Sequence, residues 1–143
     1  MTTTRENILQ QLTTYLSTTA VVAGKVYRSR VVPLQRNESP AIVIEPVSDT
    51  PDETVTTTAV NWELTVRISV IVRGEKPDQI ADPIIESLYS KVMADASVND
   101  YAIDIRPGAV NFEMIDADQP AGVISNDFII KYRTRFDDLT QVP

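Results

Sequence analysis

The chain has 143 residues, 43% of them hydrophobic, a size and composition that suit one folded domain and not a disordered polypeptide. It carries 20 acidic and 13 basic residues, a formal charge of −7, and no cysteine or histidine. Disulfides, thiolate or imidazole metal sites, Ser-His-Asp and Cys-His catalysis and a histidine pH switch are thereby excluded, and the acidic balance argues against a surface that wraps nucleic acid.

No apolar run approaches the roughly 20 residues needed to span a bilayer. The start, Met1 to Glu6, lacks the basic and apolar stretches of a secretory signal, so the expectation is folding in a cytoplasm without membrane contact. A helix is predicted over Thr4–Ser17, opened by Thr3 and Glu6 at capping-box spacing and carrying Ile8, Leu12, Tyr15 and Leu16 on one apolar face. Gly24 ends the following loop. A strand is expected over Lys25–Val31, closed by Pro33, and a second over Ala41–Val47, with Pro40 and Pro46 as hard stops. The acidic, hydroxyl-rich stretch from Ser48 to Thr58 reads as a hairpin arm or loop that orders on assembly.

The clearest signal follows. Trp62, Leu64, Val66, Ile68, Val70 and Val72 alternate with Glu63, Thr65, Arg67, Ser69, Ile71 and Arg73 until Gly74. Period two with one apolar face marks a strand of an antiparallel sheet covered on one side, and Trp62 is expected to enter the core at its start. Lys76–Asp95 reads as a second helix, with Ile80, Ile84, Leu88 and Val92 on one stripe and Asp78, Asp82 and Glu86 on the other. Pro83 implies a bend there or a start at Asp82. A strand over Ala109–Ile115, a turn over Asp116–Gly122 and a final strand over Val123–Phe136 complete the chain. The last strand places Phe128, Ile130, Tyr132, Thr134 and Phe136 on one face. The fold class is α+β: one domain spanning residues 1–143, a two-layer sandwich of a mostly antiparallel sheet of about five strands with two helices packed on one face.

The search for chemistry finds no catalytic residue, no cofactor site and no metal site. Asp116-Ala117-Asp118 hints at a calcium loop, but Pro120 interrupts the pattern. Four scattered glycines make no phosphate cradle, and Asn37-Glu38-Ser39 is a sequon without a secretory context. A pocket holding a carboxylic acid of raised pKa would revive an enzyme or ligand-binding reading. One uneven feature remains. Arg67, Arg73, Lys131, Arg133 and Arg135 lie on the polar faces of two long strands, while acidic residues collect at Asp49, Asp52 and Glu53, on the outer stripe of the second helix, and at Asp116 and Asp118. The plain account is a solvated sheet face. The functional account is a subunit interface, in which the basic face of one copy meets the acidic surface of the next and closes a ring.

Several segments together give the chain a resemblance in layout to the lambda-type tail-terminator family of long-tailed bacteriophages, over roughly Arg5 to Phe136. These are the short first helix, Val26-Tyr27-Arg28, Ser39-Pro40-Ala41-Ile42-Val43-Ile44, Trp62-Glu63-Leu64-Thr65-Val66-Arg67-Ile68, Tyr89-Ser90-Lys91-Val92-Met93 and Asp127-Phe128-Ile129-Ile130-Lys131-Tyr132. Pro83 departs from the pattern, so the exact helix start is not carried over. The resemblance implies a structural virion protein: a homo-oligomeric ring, hexameric in that family, that caps the tail tube, stops its polymerisation and joins the tail to the head. Its implied partners are copies of itself, the tail tube protein and a head completion or connector protein, with DNA crossing the lumen without specific binding. The implied place is the head-proximal end of the virion tail, after assembly in the host cytoplasm. A neighbouring head–tail connector or tail-completion protein shares such layouts and stands as the alternative, with a small enzyme or ligand-binding domain behind it.

Overall fold

The alternating segment forms the spine of the molecule: a strand over Ala59–Arg73 (β3) whose Leu64, Val66, Ile68, Val70 and Val72 are fully buried. In the computed structural model, which describes residues 2–19, 22, 25–29, 40–52, 58–115 and 120–141, the elements run in the expected order. They are α1 (Thr4–Leu16), β1 (Val26–Arg28), β2 (Ala41–Pro51), β3, α2 (Pro77–Met93), β4 (Asp104–Ile115) and β5 (Ala121–Arg135). The sheet has five strands in the order β1-β2-β3-β5-β4. Only β1 and β2 run parallel; the remaining neighbours are antiparallel. Ile8, Leu12 and Leu16 of α1 and Ile84, Leu88 and Val92 of α2 join Ile44, Ile68, Phe128 and Ile130 in one core. The fold is the two-layer α+β sandwich that the sequence implies, with the second sheet face bare of helices among the described residues.

Local chemistry sets the helix ends. Thr3 Oγ1 accepts from Glu6 N at 3.2 Å, but the reciprocal half of the capping box is not made. Glu6 instead takes two hydrogen bonds from Arg28 at 2.8 and 3.0 Å and so ties α1 to β1. The second helix neither begins at Asp82 nor stops at Pro83. It opens with Pro77 at its first turn, where the missing N–H costs nothing, and runs on through Pro83 on its exposed side. Its buried stripe is Pro77, Ala81, Ile84, Leu88 and Val92. The predicted Ile80 sits at the rim of that face, 37% exposed.

The largest departure concerns β2. Pro46 does not end the strand. The ladder to β3 continues from Ser48 to Pro51 after a register shift between Pro46 and Ser48, so the segment read as a hairpin arm or loop is the β2 side of a hairpin as far as Pro51. Val47 is the extra residue of a β-bulge, and the bulge accommodates a proline within the strand. A second bulge, between Pro107 and Val110, lets β4 start five residues before the expected Ala109. Phe136 falls just beyond β5 and is exposed. The predicted loop end at Gly24, the Arg30 and Val31 end of the first strand, Pro33 and the Asn37 sequon lie outside the described residues.

Gly122 marks a tight joint between the layers. A Cβ there meets Pro77 Cβ at 2.6 Å and Met114 Sδ at 3.2 Å. Gly122→Ala is expected to cost about 1–3 kcal/mol through overpacking, read as a lower urea midpoint with an unchanged slope.

Candidate assembly surface

The register of β3 against β5 decides which charges share the bare sheet face. Glu63 stands opposite Lys131, Arg67 opposite Asp127, Asn61 opposite Arg133 and Arg73 opposite Ala121. Arg67 forks onto the Asp127 carboxylate at 3.0 and 3.5 Å. Glu63 lies 3.8 Å from Lys131 and 3.4 Å from Arg106. Arg133 Nε donates to Asn61 Oδ1 at 2.6 Å, and Arg135 lies 3.4 Å from Asp137. The basic residues expected on this face therefore share it with Glu63 and Asp127. Glu63 and Asp127 have the same strand parity as Arg67 and Lys131, and that parity is the signal in the sequence that reveals them. Arg133 and Arg135 are exposed and sit together at the end of β5, so they carry the cationic character that survives.

The acidic half of the predicted interface is split. Asp78, Asp82 and Glu86 line the exposed side of α2, on the far side of the molecule from the bare sheet face. Asp52 continues the β2–β3 ladder through its N–H to Asn61 O at 2.7 Å. Glu53, Asp116 and Asp118 lie outside the described residues. Asp49 lies within β2. The bulge at Val47 turns it to the core side of β2, opposite Leu64, where only 8% of its side chain is exposed.

There Asp49 Oδ2 accepts from the Tyr132 hydroxyl and from Arg5 Nη1 at 3.3 Å. Its Oδ1 is buried without a hydrogen-bond partner among the described residues. Burial raises the Asp49 pKa, more than the bonds from Tyr132 and Arg5 lower it. Burial next, and then the carboxylate beside it, push the Tyr132 phenol far upward. Trp62 completes the cluster: its ring stacks on Tyr132 with centroids 6.4 Å apart, and its Nε1 donates to Thr134 Oγ1 at 3.0 Å. Trp62 is thus half-buried at the rim of the core, not sunk within it. The pocket at this cluster, lined by Thr3, Arg5, Asp49, Trp62, Tyr132, Thr134 and Leu139, measures about 20 Å³. That volume suits a water molecule and not a metabolite; Asp49 also borders an open cleft of about 300 Å³ lined by Arg5, Pro46, Val47, Ser48 and Leu64. Among the described residues no group of three or more acidic side chains gathers to hold a metal ion.

No protein-family model and no curated protein matches the sequence. In three dimensions the chain is similar to a chain from the virion of a native gene transfer agent particle. The TM-score is 0.50 and the identity 13%, and the match covers 85% of this chain and 91% of that one. At that identity the likeness is one of fold, and it spans nearly all of both chains.

A folded pKa raised above the unfolded one adds stability at low pH and loses it as pH rises through the folded value. Wild-type stability is therefore expected to fall relative to Asp49→Asn as pH rises from the ordinary carboxylate range toward neutrality. Tyr132→Phe, which leaves the buried carboxylate short of a donor, is expected to cost about 1–3 kcal/mol at pH 7. Urea titrations of the three proteins across pH check both outcomes.

Proposed function

We propose that the protein is a structural virion component of a phage-like particle, and that it acts as a tail terminator: a closed ring that caps the tail tube, ends its polymerisation and joins tail to head. The observation that carries this reading is the end-to-end fold likeness to a virion chain, 85% of one and 91% of the other. The tail-terminator resemblance of the strand and helix segments narrows it. The role in this reading is structural, with no bond made or broken.

The charge layout supports ring closure of the head-to-tail kind. Exposed Arg133 and Arg135 border the bare sheet face, and Asp78, Asp82 and Glu86 line the exposed side of α2 behind the opposite layer. Two different patches on opposite sides of one subunit generate a ring when the rotation closes. Arg67 and Lys131 already meet carboxylates within their own sheet, so their part in the interface is the register of β3 on β5. An acidic chain of −7 forms a lumen that DNA crosses without sticking.

Added to polymerising tail tube protein, the purified ring is expected to arrest elongation and to bind tube ends in electron micrographs. Binding to portal in place of tube ends assigns it to the neighbouring head–tail connectors. The double variant Arg133→Glu, Arg135→Glu is expected to stay folded and to lose the ring, read by light scattering at salt concentrations where the wild type is a ring. An unchanged ring removes the charge-pairing account.

A further inference from the structure

Beyond the bulge at Pro107 to Val110, the outer strand β4 runs free. Residues 109–115 are all exposed, with β5 on one side and, among the described residues, no strand on the other. The bulge also fixes which way they point. Val110, Phe112 and Met114 stand opposite Asn126, Ile124 and Gly122, on the helix-side face of the sheet. They are 48%, 62% and 49% exposed. An open edge normally carries lysines, a proline or an inward charge that discourages pairing with another chain. In β4 those devices, Arg106 and Pro107, lie before the bulge. Ala109–Ile115 has one charge, Glu113, and no proline.

We propose that this edge pairs with the same edge of a second copy, antiparallel about a two-fold axis through Phe112, joining two five-stranded sheets into one. The residues select both partner and register. Centred on Phe112, the pairing sets Phe112 against Phe112 and Val110 against Met114 on the helix side. On the other face it sets Asn111 against Glu113 and Ala109 against Ile115. Every apolar side chain meets an apolar one, and no like charges oppose each other. Centring on Glu113 opposes Glu113 to its own copy. Centring on Asn111 sets Ala109 against Glu113 and Met114 against Gly108. Shifts by half steps put the two apolar stripes on opposite faces. The contact is self-complementary, as a two-fold interface requires, and it is distinct from the head-to-tail contact of the ring. Each copy carries −7, so the two copies repel at long range and added salt strengthens this apolar contact, the reverse of the effect on a charge-paired ring.

The chain has no cysteine, which makes the register directly testable in the full-length protein. Single variants Phe112→Cys, Val110→Cys and Met114→Cys are purified reduced and then oxidised across the micromolar range. Phe112→Cys is expected to cross-link with itself, and Val110→Cys to cross-link with Met114→Cys in an equimolar mixture at least about tenfold faster than with itself. Light scattering is expected to show Phe112→Lys raising the dimer dissociation constant at least about tenfold, because it opposes two like charges. Its urea midpoint is expected to match the wild type, since the side chain is exposed. Equal cross-linking at all three positions overturns the proposal, as does a wild type that stays monomeric at every concentration and salt. Oligomers that form normally while Phe112→Cys fails to cross-link overturn it too, and leave the ring reading standing.

Discussion

β3 and β5 pair along all 15 residues of each strand without a break in register. Every other element is placed by that ladder. On its helix side it stacks Leu64 against Ile130, Val66 against Phe128 and Val70 against Ile124, the floor on which α1 and α2 rest. On its bare side it sets Arg67 against Asp127 and Glu63 against Lys131. Two polar side chains interrupt the apolar floor of this ladder, Thr134 opposite Val60 and Asn126, which is buried opposite Ile68. Its amide donates to Ile68 O at 3.2 Å and Ile124 O at 3.3 Å, which removes the cost of burying it.

The two flanking strands follow this ladder only in part, and each departs by one residue. Side chains alternate with period two, so one inserted residue exchanges the faces of everything after it. In β2 the insertion at Val47 carries Asp49 from the solvent side to the core side, beneath Tyr132 and Arg5. In β4 the insertion at Gly108–Ala109 carries Val110, Phe112 and Met114 to the helix side, where about half or more of each stays exposed. Gly108 suits the second site because a Cβ there meets Asp127 Cβ and O at 3.2 Å. The same device thus buries a charge at one end of the sheet and exposes an apolar stripe at the other.

These placements separate surface from structure among the charged residues. Arg67, Lys131, Glu63 and Asp127 are partners of one another, and Asp49 belongs to the joint between α1, β2 and β5. Exposed charges stand at the end of β5, at Arg133 and Arg135, and along the outer side of α2, at Asp78, Asp82 and Glu86.

The sequence by itself determined the class of fold, the order of the elements, the spine at Leu64 to Val72 and the lack of histidine or cysteine chemistry. Periodicity and composition are local properties, and the residues that carry them are contiguous. It also held the parity by which Glu63 and Asp127 neutralise their neighbours, though only the pairing of β3 with β5 shows which acid meets which cation. Tertiary structure alone decided the two bulges, because an unpaired residue is defined by the partner strand and leaves no periodic trace in its own. Pro46 looked like a stop because proline lacks the donor a ladder needs; the bulge lets the ladder pass it. Asp49 looked like part of an exposed arm because its neighbours are polar. Its burial depends on Tyr132, 83 positions away along the chain, a distance that no local reading spans.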